Sequence, residues 1–335
     1  MPSELPVIVD AAGPEPLLSW VQANRQWLRE ELTAHGALLL RGFNVSAPAE
    51  FQQAIADFSG VMPLDYAERS SHRQHVLDGV YTSTEYPPER GIFLHNEQSY
   101  NLRFPRFIAF CCFQPASSGG QTPLADTRRV LHRIDPSIRE KLGSIGYKYV
   151  RHFGSRAGMT WQHAFNVADA DALEAYCAAN DLVCEWLERR GAPGLRTEQI
   201  RPVIARHPQS GEPVWFNHLT FFHRSTLDAD LRELLAHVCG PTRFPHETLA
   251  GDDSPFDDAT VAALRSAYVA EERVFDWRRN DVLLLDNMLV AHGRRPFTGE
   301  RRVLVAMTQL CAWSDVAERA AAPRAADVMD WGALA

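Results

Sequence analysis

Apolar positions recur every three or four residues in several stretches of the chain, which predicts amphipathic helices there. The first, LLSWVQANRQWLREEL, begins at Leu17 and is followed by Gly36, a residue type that commonly ends helices. The stretch SAPAEFQQAIADFSG predicts a shorter helix that Ser46 caps and Gly60 ends. Further helices are expected within residues 127–142, 168–190, 226–240 and 258–272.

Apolar runs and alternating patterns predict strands between these helices. They include ALLLRGF, GIFLHNEQSYNLRF, RFIAFCCFQ, PVWFNHLTFFH and the dense block RVFDWRRNDVLLLDNMLVAHGRRPFTGERRVLVAMTQL, in which Asp286 and Asn287 predict a turn. Residues 61–90 are polar and rich in Ser and Pro, which predicts irregular connections that could form a mobile cover. Strands and helices do not alternate regularly, and GxGxxG and GxxxxGK[ST] loops are absent, so a mainly β sandwich or jelly roll with α insertions is expected.

The amino-acid composition excludes some classes of function and is consistent with the predicted fold. The 335 residues are 45% hydrophobic, which is enough for a large core in one domain or two. The formal net charge of −8 argues against a nucleic-acid-binding surface. No signal-peptide pattern opens the sequence and no apolar run is long enough to span a membrane, so we expect a cytoplasmic protein. The six cysteines form no CxxC pair and are expected to be free thiols.

The residues with the clearest chemistry are a histidine and a glutamate two positions apart. On a strand, His95 and Glu97 share a face, although such a pair alone is weak evidence for a metal site. His292 ends an apolar strand, and the following strand opens with Arg301 and Arg302. Two imidazoles and one carboxylate leave coordination positions open, which suits Fe(II), and an arginine provides a bidentate partner for an acidic co-substrate.

This ordered set resembles the Fe(II)/2-oxoglutarate-dependent dioxygenases of the TauD/TfdA, clavaminate synthase-like family. The resemblance covers roughly residues 30–315 and is carried by His95-Asn96-Glu97, Thr122, WRRNDVLLLDN, His292-Gly293-Arg294, Pro296-Phe297 and Arg302. It implies a double-stranded β-helix, a jelly roll, flanked by helices. It further implies that His95, Glu97 and His292 bind iron and that Thr122 and Arg302 bind 2-oxoglutarate, with Arg301 as the rival arginine.

The same resemblance suggests how the chain is organised. We expect one dioxygenase domain over residues 1–335 with its core at about 30–315. Helical insertions are expected at about 127–195 and 226–270, and a loosely attached tail at 319–335.

Two features of the sequence narrow the expected reaction. Glu97 stands where taurine-type members carry aspartate, and the motifs HNEQSY and HGRRPF most resemble hydroxylases associated with nonribosomal peptide biosynthesis. Taurine-type enzymes hold the substrate sulfonate with a second arginine, four residues beyond the 2-oxoglutarate arginine, and the residue at that distance from Arg302 is Ala306. Related halogenases lack the metal-binding acid, which is present here as Glu97. The expected reaction is hydroxylation of an unactivated C–H bond in an amino acid or derivative, free or presented by a peptidyl carrier protein. Desaturation and epoxidation stay open, and the sequence does not give the substrate or the oligomeric state.

Two hypotheses from other classes compete with this one: a zinc hydrolase with the same two histidines and glutamate, and a non-catalytic jelly-roll binding protein. Other residues are expected near a pocket without a defined role, namely His218, Asn217, Arg151 and Gln98. Trp277 is expected to pack, and Arg294 to support the metal ligands or contact substrate.

Overall fold

A computed structural model describes residues 5–13, 15–65, 68–71, 73–154, 157–189 and 192–317. The strands of these residues are β1 (Val7–Asp10), β2 (Ala37–Arg41), β3 (His75–Leu77), β4 (Val80–Thr82), β5 (Ile92–His95), β6 (Arg103–Gln114), β7 (Ser118–Gly119), β8 (Leu124–Asp126), β9 (Tyr147–Phe153), β10 (Val183–Arg189), β11 (Ala192–Arg201), β12 (Ile204–Arg206), β13 (Pro213–Trp215), β14 (His246–Ala250), β15 (Val282–Asp286), β16 (Val290–Arg294), β17 (Phe297–Thr298) and β18 (Arg302–Ala312). The helices are α1 (Leu17–His35), α2 (Pro48–Ser59), α3 (Thr127–Arg133), α4 (Pro136–Ile145), α5 (Trp161–Phe165), α6 (Ala170–Ala179), α7 (Leu219–Phe222), α8 (Ala229–Cys239), α9 (Asp258–Glu271) and α10 (Trp313–Val316).

The core is a large sheet in the order β1-β2-β15-β6-β18-β4-β3 and a small sheet in the order β5-β16-β8. Side chains alternate across the large sheet, as strand geometry requires. Phe110 of β6 and Val303 of β18 lie in the apolar cluster between the sheets. Ala109 and Leu304 lie in the cluster that also contains residues of α1 and α2. The mainly β jelly roll with α insertions is therefore confirmed.

Helices α1 and α2 cover the outer face of the large sheet through buried leucine and phenylalanine side chains. Gly36 ends α1 in the left-handed region at φ 81°, as predicted. The predicted cap at Ser46 is wrong, because the N-cap position is Ala47 and no side chain caps α2. The backbone N–H of Ser46 instead donates to the Glu50 carboxylate at 2.8 Å.

Outside these two sheets, helices are combined with another antiparallel sheet in the order β10-β11-β9-β14. The predicted helix over residues 168–190 is right only for α6, because the chain turns near Asp181 and β10 pairs with β11. Tertiary strand pairing outweighs the approximate helical spacing in this segment. Similarly, the predicted strand PVWFNHLTFFH forms β13 and then the short helix α7.

The described residues of segment 61–90 contribute Ser70, Ser71, Arg73, Thr84 and Tyr86 to the lining of a cavity, and the predicted mobile cover stays a prediction. Within the described residues this segment contains the short strands β3 and β4. The predicted tail at 319–335 lies outside the described residues. The division into one core with two insertions stays a prediction, and the described helices include none with the length and apolar character of a membrane span.

Candidate metal centre

Neighbouring strands of the small sheet carry the two predicted histidine ligands, whereas Glu97 lies in the turn after β5 and not on the strand predicted for it. His95 ends β5, and the strand register pairs it directly with His292 of β16. Glu97 follows two residues after His95, and one ligand atom from each of the three side chains lies within 4.8 Å of the others. The structure therefore brings together the three residues that the sequence selected from distant segments.

A buried amide fixes the backbone of the glutamate. Asn287 Oδ1 accepts a hydrogen bond from Glu97 N at 2.8 Å, and its Nδ2 donates to Glu97 O at 2.9 Å. Asn96 Nδ2 donates to the Asn287 backbone carbonyl at 2.6 Å. Asn287 is completely buried, so water cannot replace these bonds. The sequence predicted a turn here but missed this positioning role, which only the contact between the 97 and 287 segments reveals.

A buried ion-pair network also holds the turn that contains Asn287, through the neighbouring residue Asp286. Arg106 Nε donates to Asp286 Oδ2 at 2.8 Å, and His207 Nε2 lies 3.0 Å from that oxygen. Burial alone would raise the pKa of Asp286, but Arg106 and His207 hold that pKa below its usual range. Asp286 therefore stays ionised and also accepts from the Met288 N–H at 3.0 Å.

The two imidazoles are in the protonation state that a metal requires. Burial lowers the pKa of His95 and lowers that of His292 well below its ordinary value, so both rings are neutral near pH 7. His95 Nδ1 lies 2.8 Å from the Phe93 carbonyl. Donation of the Nδ1 proton to that oxygen leaves the Nε2 lone pair available to a metal.

Two further observations fit a cation at this place. His292 Nδ1 is buried and has no hydrogen-bond partner within the described residues, so this ring has a nitrogen available for coordination. Arg73 Nη2 donates to Glu97 Oε2 at 2.6 Å, and both side chains are buried. Arg73 thus pairs with one oxygen of the Glu97 carboxylate, and a bound metal would share that carboxylate with it. The donor set, two imidazoles and a carboxylate without thiolate, suits Fe(II) with open coordination positions.

The two candidate arginines point in different directions. Arg302 is exposed, and its guanidinium lies over the Phe113 ring at 5.6 Å. Arg301 is half-buried, and it donates to the Gly120 carbonyl and to Ser83 Oγ at 3.1 Å each. Arg301 has no carboxylate within salt-bridge distance in the part of the chain that the structure describes. The geometry therefore favours Arg301, which the sequence left as the rival.

Thr122 is buried in the loop that contacts Arg301. Trp277 Nε1 donates to Thr122 Oγ1 at 3.1 Å, which leaves the threonine hydroxyl proton free to donate to another group. Trp277 therefore does more than pack. The next residue of this loop, Pro123, accepts from the backbone N–H of Gly293, directly after His292, at 3.0 Å.

A cavity of about 430 Å³ lies beside the metal ligands His95 and Glu97. Its lining includes His95 and Glu97, the aromatic side chains Phe221 and Phe222, and His218. His218 Nδ1 lies 2.7 Å from Ser99 Oγ, and burial lowers the pKa of His218 well below its ordinary value. Among the residues predicted near a pocket, His218 is thus the one placed in the lining.

The other three residues of that prediction are buried away from the lining. Asn217 Nδ2 donates to the Val203 carbonyl at 3.0 Å, and Arg151 Nη2 donates to the Arg69 carbonyl at 2.9 Å. Gln98 is buried with a positive φ of 54° directly after Glu97.

Arg294 has a role that the sequence did not suggest. Its guanidinium donates to the carbonyls of Tyr86, Pro87 and Arg90 at 3.1, 2.8 and 2.8 Å. Arg294 therefore holds the segment that leads into β5, the strand that ends at His95, and its two expected roles stay predictions.

Comparison with known proteins agrees with this geometry. Residues 9–308 match the family described as taurine catabolism dioxygenase TauD, TfdA family. The dapdiamide synthesis protein DdaC of Enterobacter agglomerans is 39% identical over 278 residues, which cover 83% of this chain and 83% of that protein.

Two solved structures share the fold at low sequence identity. PvcB from Pseudomonas aeruginosa, described as an Fe, alpha-ketoglutarate dependent oxygenase from an isonitrile synthetic pathway, aligns over 90% of this chain and 84% of its own with a TM-score of 0.50 and 19% identity. An asparagine oxygenase in complex with Fe(II), 3-hydroxyasparagine and succinate aligns over 87% and 79% with a TM-score of 0.53 and 14% identity.

Proposed function

The chain belongs to the TauD/TfdA dioxygenase family, and from this premise we propose that it hydroxylates an unactivated C–H bond of an amino acid or amino-acid derivative. As a family member it is an oxidoreductase that uses Fe(II), 2-oxoglutarate and O₂. The observation that carries the proposal is the His95, Glu97 and His292 cluster at the end of a cavity with aromatic walls.

His95, Glu97 and His292 would hold the iron through two neutral imidazoles and one carboxylate. Bound iron would supply the activation of O₂ that converts 2-oxoglutarate to succinate and CO₂ and oxidises the substrate. The protein's own contribution is to keep the two imidazoles neutral by burial and to fix the Glu97 backbone through Asn287.

We assign the far carboxylate of 2-oxoglutarate to Arg301 rather than Arg302. Arg301 is half-buried, lacks a carboxylate partner within the described residues and contacts the loop that carries Thr122. Burial lowers the pKa of Arg301 to about 10, so it stays charged at neutral pH. A desolvated guanidinium of this kind forms strong bidentate hydrogen bonds with a carboxylate.

The adjacent arginines provide a matched pair of variants. Charge-assisted hydrogen bonds contribute roughly 1.5–3 kcal/mol, so Arg301→Gln should raise the KM for 2-oxoglutarate by about 10- to 100-fold. Arg302→Gln, which removes the same charge from the exposed neighbour, should change that KM less than twofold. Succinate formation against 2-oxoglutarate concentration measures both, and the reverse order of effects would return the role to Arg302.

The proposed substrate class is supported by the site and by the relatives. The position four residues beyond the co-substrate arginine is Ala306 counted from Arg302 and Val305 counted from Arg301. Both side chains are apolar and buried, so neither offers the cation that a sulfonate needs. DdaC is a dapdiamide synthesis protein, and the asparagine oxygenase complex contains a hydroxylated amino acid. We therefore place the reaction in secondary metabolism.

The products decide between the possible oxidations. The protein with Fe(II), 2-oxoglutarate and air is incubated with a panel of amino acids, free and as thioesters on a peptidyl carrier protein, and the products are analysed by mass spectrometry. The proposal expects stoichiometric succinate and a product that gains one oxygen atom. Loss of two hydrogens would identify desaturation, and an oxygenated product formed only from an alkene would identify epoxidation. Turnover of the carrier-bound form alone would establish carrier presentation.

A further inference from the structure

The cavity beside the metal ligands contains one cation that the proposed chemistry does not use. Among its described lining residues, the charged side chains other than Glu97 are Arg73, Asp228 and Arg265. Arg73 is bound to Glu97, and Asp228 is exposed and lies 3.6 Å from Arg90. Arg265, on α9, lacks a hydrogen bond or ion pair with any described residue.

The position of Arg265 on α9 explains why it has no ion-pair partner on its own helix. The residues three and four positions away, where a helical ion-pair partner would stand, are Ala262, Val261, Tyr268 and Val269. Val261 and Tyr268 are buried in the core, so the helix offers no carboxylate to the guanidinium. Arg265 is only partly exposed, and burial lowers its pKa below the usual range. A group that is this desolvated and unpaired lowers stability until it binds an anion.

The guanidinium nevertheless has a defined position. Its central carbon lies 3.5 Å from the centroid of the Phe93 ring, a close cation–π contact. Stacking on the ring face fixes the plane of the guanidinium and leaves its N–H donors available at the edges. Two of these donors can form a bidentate pair with a carboxylate.

The distance from Arg265 to the metal ligands matches a small substrate. Phe93 and His95 are two residues apart on β5, and both line the cavity. Residues at this spacing lie on one face of a strand about 6.6 Å apart. An anion bound to Arg265 therefore lies within a few bonds of a carbon positioned at the metal.

We propose that Arg265 binds a free carboxylate of the substrate and so orients the oxidised carbon toward His95, Glu97 and His292. The proposal rests on the proposed oxygenase function and names its substrate class: an amino-acid-like molecule with a carboxylate a few bonds from the reacting carbon. That carboxylate is the α-carboxylate of a free amino acid or the side-chain carboxylate of a carrier-bound acidic residue. The phosphate of a carrier arm does not fit, because the whole arm separates it from the acyl group.

Binding can be measured without turnover. The protein is loaded with Mn(II) and N-oxalylglycine and titrated calorimetrically with two matched sets of probes. One set pairs the proteinogenic L-amino acids with their α-amides. The other pairs N-acetylcysteamine thioesters of aspartate and glutamate with those of asparagine and glutamine. The variants are Arg265→Gln, Arg265→Lys and, as a control on an exposed arginine outside the cavity, Arg103→Gln.

We expect at least one acid to bind the wild-type protein at least tenfold more tightly than its amide. Arg265→Gln should weaken that acid at least tenfold and leave its amide unchanged, Arg265→Lys should be intermediate because it keeps charge without the fork, and Arg103→Gln should resemble the wild type. Preference within the first set identifies a free α-carboxylate, and preference within the second a side-chain carboxylate.

Three results would overturn the role of Arg265, provided that N-oxalylglycine still binds. They are equal binding of acids and amides, no binding of any acid, and acid binding that Arg265→Gln does not weaken. Failure of the wild-type protein to bind Mn(II) and N-oxalylglycine would instead overturn the proposed function, and this inference with it.

Discussion

The metal centre and the substrate cavity share His95 and Glu97, but they are built in different ways. His95 and His292 lie on paired strands of the jelly roll, and buried hydrogen bonds from Asn287 fix the backbone of Glu97 in the turn that follows β5. The other cavity walls come from residues outside these strands, including Arg73, Phe221, Phe244 and Arg265. The residues that determine the reaction therefore lie on the scaffold, and those that determine which substrate binds lie mostly outside it. Loops can change in sequence while the scaffold is kept.

The largest expected effect is the loss of a metal ligand. His292→Ala should lower Fe(II)-dependent succinate formation by more than the roughly 10- to 100-fold typical of residues that only support a ligand. The exposed helix residue His237 provides the matched control, and His237→Ala should retain wild-type activity. Nearly full activity of His292→Ala with Fe(II) would show that His292 is not a metal ligand.

A smaller loss is expected when the scaffold is changed beside the ligands. Asn287→Ala removes the hydrogen bonds to the Glu97 backbone and should weaken Fe(II) binding by about 10- to 100-fold. Leu227→Ala, in the cavity wall, should leave metal affinity unchanged but alter substrate affinity. Metal titration of both folded variants makes the comparison, and equal metal affinities would show that the two regions are not separable in this way.

The smallest effect concerns the pH dependence of stability at the cavity wall. His246 Nδ1 lies 2.5 Å from the Tyr149 hydroxyl, and burial lowers the pKa of His246 to about 3. The unfolded chain, with a histidine pKa near 6.5, binds more protons below that pH, so stability falls as the pH drops from about 6.5 toward 3.

His246→Asn keeps an acceptor for Tyr149 but does not titrate. Its Tm should therefore fall less than that of the wild type between pH 7 and pH 5, by about 2 °C. Thermal unfolding at several pH values measures the difference. Parallel curves for the two proteins would mean that His246 does not contribute to the acid sensitivity.

The metal ligands could be predicted from the sequence because each stands in a local pattern. His95 and Glu97 stand two residues apart after an apolar lead-in, and His292 follows a long apolar block. The local details differ, because β5 ends at His95, with Glu97 in the following turn, and His292 lies in the middle of β16. The choice between Arg301 and Arg302 could not be made in the same way. Neighbouring residues of a strand face opposite sides, and the pairing of β18 with β6 shifts register between Arg302 and Val303. A one-residue irregularity of this kind leaves no signal in the sequence.

The cavity wall was still less predictable. Arg265 lies on a helix whose sequence pattern indicates only an apolar face and a polar face, and its position over Phe93 depends on how that helix packs. The same limit applies to β10, where pairing with β11 replaced the predicted helix. Tertiary contacts between distant segments determine these features, whereas the jelly roll and its metal ligands follow from local patterns.

The central claim is that the metal centre couples O₂ to the oxidation of 2-oxoglutarate. The most direct measurement supplies ¹⁸O₂ to the protein with Fe(II), 2-oxoglutarate and the amino-acid panel, free and carrier-bound, and analyses succinate by mass spectrometry. The wild-type protein is expected to form succinate that carries one ¹⁸O atom, and His292→Ala is expected to form none. Unlabelled succinate, or no consumption of 2-oxoglutarate under these conditions, would contradict the claim.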